Sequence, residues 1–411
     1  VDRHPEAAMT VDKAAQGNPP GAPRGWYTLD GYRAVAALTV LTFHAYQHNR
    51  EPGTWRWPLQ DTIGHEILLN TDMLVDMFFI LSGFLLGLPF ARAALGTGKP
   101  RGARIFLIRR AVRLLPPYWI VVLVVWSISN PVIPGDWQDL VLHLTLTHVW
   151  SDAKIFYTDG PAWTLGVEAH FYVLLAVLGV VAQRACLRLG TRRAKIALML
   201  GGVLSLMVLS LAYKTWAVYV RGYPEESWSV WFGPPAKLDV FATGMLLAVA
   251  AAAGLRWPNR AVRTLVGLAG AGVIAGGIWC RTVHVPEPYL HTLFGLGIGL
   301  VVGATALSLD AGPRWLSWAP MVSLSTVSYS IYLWHEPILR AIDGRGVLPE
   351  PGPWWAWPLT AAILLAVTIP LSYLSYHVIE ATALQIMGAF DSRGRPREYH
   401  TPLPEPGRPG G

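Results

Sequence analysis

Apolar residues come in repeated runs of about twenty, each closed by a short polar stretch; that is the length of helix needed to cross a bilayer. The pattern predicts an all-α integral membrane protein of about ten transmembrane helices, at roughly 29–48, 70–90, 112–129, 162–183, 195–218, 232–253, 262–281, 289–309, 320–341 and 356–380. The third is short. After it, DWQDLVLHLTLTHVW (136–150) predicts an amphipathic helix that lies at the interface or re-enters it. Pro, Gly and Ala dominate 1–28, and 383–411 has the same character, so disordered tails are expected around a membrane domain at 29–382. The first tail has no apolar core of the signal-peptide kind.

Composition supports the same class. The chain is 53% hydrophobic and 14% charged, against about 25% charged in an average soluble domain. A net charge of +7 raises the question of nucleic acid, but the Lys and Arg fall between apolar runs and do not interleave with stacking aromatics. With the N-terminus placed in the cytoplasm, 23 of them lie inside and 7 outside, leaving Arg33, Lys214 and Lys237 within or at the edge of spans. This asymmetry predicts that both termini are cytoplasmic. In that topology Cys186 and Cys280 fall near opposite faces, too far apart for a disulfide.

Against this background the ionisable residues inside spans stand out. The first span, LDGYRAVAALTVLTFHAYQH, carries Arg33 and His44. Eleven residues is three turns and about 20°, so both share one stripe, about 16 Å apart along the axis. Counting depth from the outer ends puts His44, Asp76, Glu168, His170, Lys237, Asp239, His335 and Glu336 in one outer slab from five helices. Such groups are costly in lipid unless they pair or line a wet cavity. On the cytoplasmic side, RIFLIRRAVRLLPPYW presents Arg104, Arg109, Arg110 and Arg113 before a break expected at Pro116–Pro117. This cluster suits a phosphate-rich ligand, though taken alone it reads first as a stop-transfer charge cluster facing anionic lipid.

In order, LDGYRAVAALTVLTFHA, VDMFFILSGFLL, RRAVRLLPPYW, WTLGVEAHFY, KLDVFATGMLLA and SYSIYLWHEPIL resemble the bacterial acyltransferase-3 family of integral membrane O-acyltransferases, over residues about 26–382. The resemblance implies a ten-helix fold of the bacterial inner membrane. It also implies transfer of an acyl group from cytoplasmic acyl-CoA to a hydroxyl of a sugar or glycoconjugate, without a metal. The family's Arg–ten residues–His signature falls on Arg33 and His44, its Arg–x–x–Arg element on Arg110 and Arg113, and its glutamate on Glu168. Many members have Glu-Gln where this chain has Glu168-Ala169-His170, so the residue after Glu168 departs from the pattern. His377 stands where the family has Arg. A soluble esterase-like domain present in some members is not expected after the tenth span.

Acyl transfer to an alcohol needs a base for the hydroxyl proton and a stabiliser for the oxyanion. His44 is the expected general base, with Glu168 or Asp76 expected to orient it as the carboxylate of a Ser-His-Asp triad does. Arg33, Arg109, Arg110 and Arg113 are expected to hold the donor, and His170, Asp239, Tyr332, His335 and Glu336 to line the acceptor cavity. A macrolide-like glycoside, a glycolipid or a surface glycan would each serve as acceptor. Ser82, in ILSGF, reads as a packing residue or as an acyl-carrying nucleophile. The rival reading is a proton-coupled transporter or flippase, since buried ionisable groups also mark transport paths.

Overall fold

A computed structural model describes residues 28–308 and 312–386; the two expected tails lie almost entirely outside them. Among the described residues there is no strand. The helices are α1 (Leu29–His48), α2 (Ile63–Leu69), α3 (Asp76–Ala94), α4 (Ala103–Ser129), α5 (Trp137–Leu144), α6 (Trp163–Leu187), α7 (Arg192–Thr215), α8 (Trp228–Phe232), α9 (Pro234–Ala252), α10 (Arg260–Thr282), α11 (Glu287–Ala306), α12 (Ala319–Thr326), α13 (Ser328–Asp343) and α14 (Ala356–Ser375). Local signals set several starts. The side chains of Thr62, Thr191 and Asn259 accept from the backbone N–H of His65, Ala194 and Val262, capping α2, α7 and α10. Past α7 the chain turns at Gly222, whose φ of +59° is left-handed.

Among the described residues, eight helical stretches are long and apolar enough to cross a membrane: Ile63–Ala94, Ala103–Ser129, Gly160–Leu187, Arg192–Arg221, Trp228–Ala252, Arg260–Thr282, Glu287–Ala306 and Ala356–Ile386. This is a multi-pass membrane protein. The other two expected spans are also helical, as α1 and the pair α12–α13. They carry Arg33 and His44, and His335 and Glu336, and the bundle shelters them. Ala37, Leu41 and Ala45 of α1 form one buried cluster with Ile331, Ile338 and Leu339 of α13 and Ala361 and Leu364 of α14.

A larger core joins α3, α6, α7, α9 and α11, and a third cluster joins α4 to α6 and α13. α3 and α9 cross closely: a Cβ on Gly83 would stand 2.3 Å from Phe241 O, and one on Gly244 only 2.1 Å from Ile80 O. α10 faces outward, with 11% of its apolar window buried against 72% for the span containing α3.

The third span differs from expectation. α4 begins at Ala103 and passes through Pro116 and Pro117 without breaking. Its arginines therefore sit on the first three turns of the helix, not on a segment ahead of it. Prolines leave backbone carbonyls without a donor one turn back, and neighbouring helices relieve such sites in membrane bundles. The carbonyls so affected are those of Val112 and Arg113, and at the next one Tyr329 Oη of α13 donates to Leu114 O at 2.7 Å. The expected interfacial segment is the short α5, with His143 and His148 turned inward and buried.

Candidate active site

Four helices bring the expected donor residues to one end of the bundle. Asp30 and Arg33 of α1, Ser82 of α3, Arg110 and Arg113 of α4, and Glu168 and Tyr172 of α6 line a cavity of about 140 Å³. Tyr329 and Glu380 close it. Ser82 Oγ donates to Glu168 Oε1. The α4 stripe delivers Arg110 and Arg113 one turn apart on one face, while Arg109 does not line the cavity. The Nε atoms of Arg33 and Arg110 are buried with no hydrogen-bond partner. Buried guanidinium donors left open suit an anion. Glu380 also lines this cavity and accepts from Ser330 Oγ at 2.5 Å.

One turn from Ser82, Glu168 and Tyr329 along α3, α6 and α13 stand Phe78, Thr164 and Tyr332, outside the cavity lining. The Phe78 and Tyr332 rings meet edge to face, centroids 5.4 Å apart. Thr164 Oγ1 donates to Tyr332 Oη at 3.0 Å, which in turn donates to Pro161 O at 3.1 Å. The Tyr332 ring centroid lies 5.7 Å from that of His335, and beside His335, outside the cavity lining, is His44. Its Nδ1 stands 2.8 Å from His335 Nε2.

The single slab of ionisable groups expected from helix depth is therefore split into separate clusters. Neither expected carboxylate bonds to His44. Asp76 Oδ2 instead pairs with His291 Nδ1 at 2.8 Å, and Glu168 is held by Ser82. Asp239 bonds Lys214 Nζ at 2.7 Å and Thr292 Oγ1 at 2.6 Å, and Lys237 lies over the rings of Trp163 and Phe232. His170 bonds Gly166 O at 2.7 Å through Nδ1 and accepts from Trp150 Nε1 at 3.1 Å through Nε2. Glu336 is engaged by Arg340 and by Gly160 N–H. Level alone does not choose a partner. In a low-dielectric interior each polar group settles on the nearest group that satisfies it, and the azimuth of each side chain decides which that is.

His291, Thr292 and Lys214 were missed as partners. His291 is a single histidine within an apolar run, EPYLHTLFGLG, and nothing beside it in sequence points to Asp76. Ser82 and Gly83 divide the two readings of their motif: the glycine packs against α9, and the serine faces the cavity.

A family model described as acyltransferase domain matches residues 26–377. The chain is 28% identical to the Bacillus subtilis protein named "Putative peptidoglycan O-acetyltransferase YrhL", over 86% of this chain and 54% of that one. It is 25% identical to the peptidoglycan O-acetyltransferase OatA of Listeria monocytogenes, over 86% of this chain and 55% of that one. To the Komagataeibacter xylinus protein named "Putative membrane-bound transacylase BcsY" it is also 25% identical, over 89% and 88%. The chain thus spans about half the length of the two peptidoglycan O-acetyltransferases. No solved structure matches it.

Proposed function

The chain belongs to the acyltransferase family of membrane O-acyltransferases, and from that premise we propose that it carries an acyl group from cytoplasmic acyl-CoA to a hydroxyl of a sugar-containing acceptor, with His44 as general base. The cavity carries this reading. It gathers three arginines, two of them with an open buried donor, at the end of the bundle where Lys and Arg are concentrated. A nucleotide's phosphates suit such a fork. Arg33 reaches from the same stripe as His44 and suits the donor's arm, and Glu168 and Ser82 stand at the depth where the thioester arrives.

The acceptor hydroxyl attacks the thioester carbonyl carbon while its proton passes to His44. Collapse of the tetrahedral intermediate breaks the C–S bond, and the proton then goes to the leaving thiolate. For thioester and imidazole to meet, the Phe78, Thr164 and Tyr332 side chains have to part. The relatives named for peptidoglycan favour a glycan acceptor within this class. The family match favours this enzyme reading over a transporter.

Purified protein with labelled acetyl-CoA and a panel of glycosides tests the reading. His44→Ala is expected to lose on the order of 100-fold or more in transfer while remaining monodisperse in detergent. Transfer equal to that of the unaltered protein would remove His44 from the chemistry.

A further inference from the structure

We infer that His335 is a positioning residue for His44, fixing the tautomer that leaves Nε2 of His44 free to take a proton. The inference rests on His44 being the base. Its argument is hydrogen-bond bookkeeping along a short chain of groups. His335 Nδ1 faces two carbonyls of its own helix, Tyr332 O at 2.7 Å and Ile331 O at 3.2 Å. Carbonyl oxygens only accept, so this nitrogen carries the hydrogen. In a neutral imidazole the second nitrogen is then an acceptor. That nitrogen, Nε2, stands 2.8 Å from His44 Nδ1, so His44 Nδ1 donates. The lone pair of His44 is left on Nε2.

The rings agree with this assignment. Their planes differ by 20° and their centroids lie 4.9 Å apart, which suits an edge-to-edge bond between ring nitrogens. The His143–His148 pair, at 4.2 Å and 9°, is a face-to-face stack by contrast. Both imidazoles of the His44–His335 pair are neutral in this arrangement. Among the described residues no carboxylate bonds to either ring, Glu336 is held by Arg340 and Gly160 N–H, and a buried cation without a partner is costly.

His335 thereby takes the place expected of Glu168 or Asp76. When His44 Nε2 accepts the hydroxyl proton, the new imidazolium donates through Nδ1 to His335 Nε2. His335 in turn donates to the carbonyls of Tyr332 and Ile331. A carboxylate would trap the proton more firmly, whereas this relay holds the ring's orientation and leaves the proton available for the departing thiolate.

The test uses the full chain in detergent, with His335→Leu, His335→Gln and His44→Ala, read by transfer kinetics and by ¹⁵N chemical shifts of labelled histidine. In the unaltered protein His44 should show protonated Nδ1 and unprotonated Nε2. His335→Leu should lower kcat about 100-fold with both KM values within about twofold. His335→Gln, whose amide oxygen accepts from His44 Nδ1, should regain at least about tenfold of that loss. A merely structural role would not make the amide a rescue. A His44 carrying its hydrogen on Nε2 would overturn the inference, as would full activity of His335→Leu beside an inactive His44→Ala. Should the Leu variant fail to fold, the shifts of the unaltered protein still decide. Full activity of His44→Ala would bring down the base assignment, and the role of His335 with it.

Discussion

Two buried charged regions of this bundle have opposite designs. In the network joining α7, α9 and α11, Lys214 meets Asp239 and Thr292, and Asp239 also accepts from Ser210. In the cavity of α1, α3, α4 and α6, Arg33 and Arg110 keep buried Nε donors without a partner and face open space. The first region has closed its hydrogen bonds upon itself. The second holds them ready for something that arrives. Both cost desolvation, but only the second leaves a reason for a ligand to repay it.

The largest expected effect falls on the closed network. Asp239→Ala strands the Lys214 ammonium and should cost about 3–5 kcal/mol, seen as a lower melting temperature in detergent. Adding Lys214→Met to Asp239→Leu should restore most of it, because a matched apolar pair needs no partner. If the single variant melts like the unaltered protein, the network is not structural and the contrast fails. In the cavity the order reverses. Arg110→Ala with Arg113→Ala should raise the KM for acyl-CoA by about thirtyfold while the acceptor KM and the melting temperature stay nearly constant. A donor KM that does not move would return these arginines to anchoring against lipid.

The smallest effect lies outside the spans, where His148 stacks on His143. Burial first, and then the neighbouring His143, hold its imidazole down to about 3 from an ordinary 6.5. The folded state therefore favours the neutral ring. Its stabilisation is complete above about pH 6.5 and is lost progressively as pH falls from there toward about 3. Hydrogen-exchange protection over residues 137–150 should drop about threefold between about pH 7 and about pH 6, and His148→Phe should remove that dependence.

The spans were readable because lipid imposes one rule on every segment that crosses it: satisfy the backbone internally and present apolar side chains. That rule fails where a helix carries charge on its first turns, which is why α4 was expected to begin at 112 and begins at Ala103. The same apolar pattern also gave 29–48 and 320–341, where α1 and the pair α12–α13 carry their ionisable residues inside the bundle. In the cavity, Arg33, Arg110, Arg113 and Glu168 were legible from spacing and motif together. Pairing was not. Rise per residue gives the depth of a group, but the partner depends on rotation and on a second helix distant in sequence. So Asp76 belongs with His291, Glu168 with Ser82, and His44 with His335.

The layer of Phe78, Thr164 and Tyr332 has an electrical consequence. A bilayer that stores a potential gives each elementary charge about 2.3 kcal/mol per 100 mV, and any continuous file of water through a protein would discharge it. Here Phe78, Thr164 and Tyr332 close on one another one turn from residues that line the arginine cavity. On the proposed reading, a seal of two rings and a bonded hydroxyl lets a charged donor enter from one side without shunting the membrane.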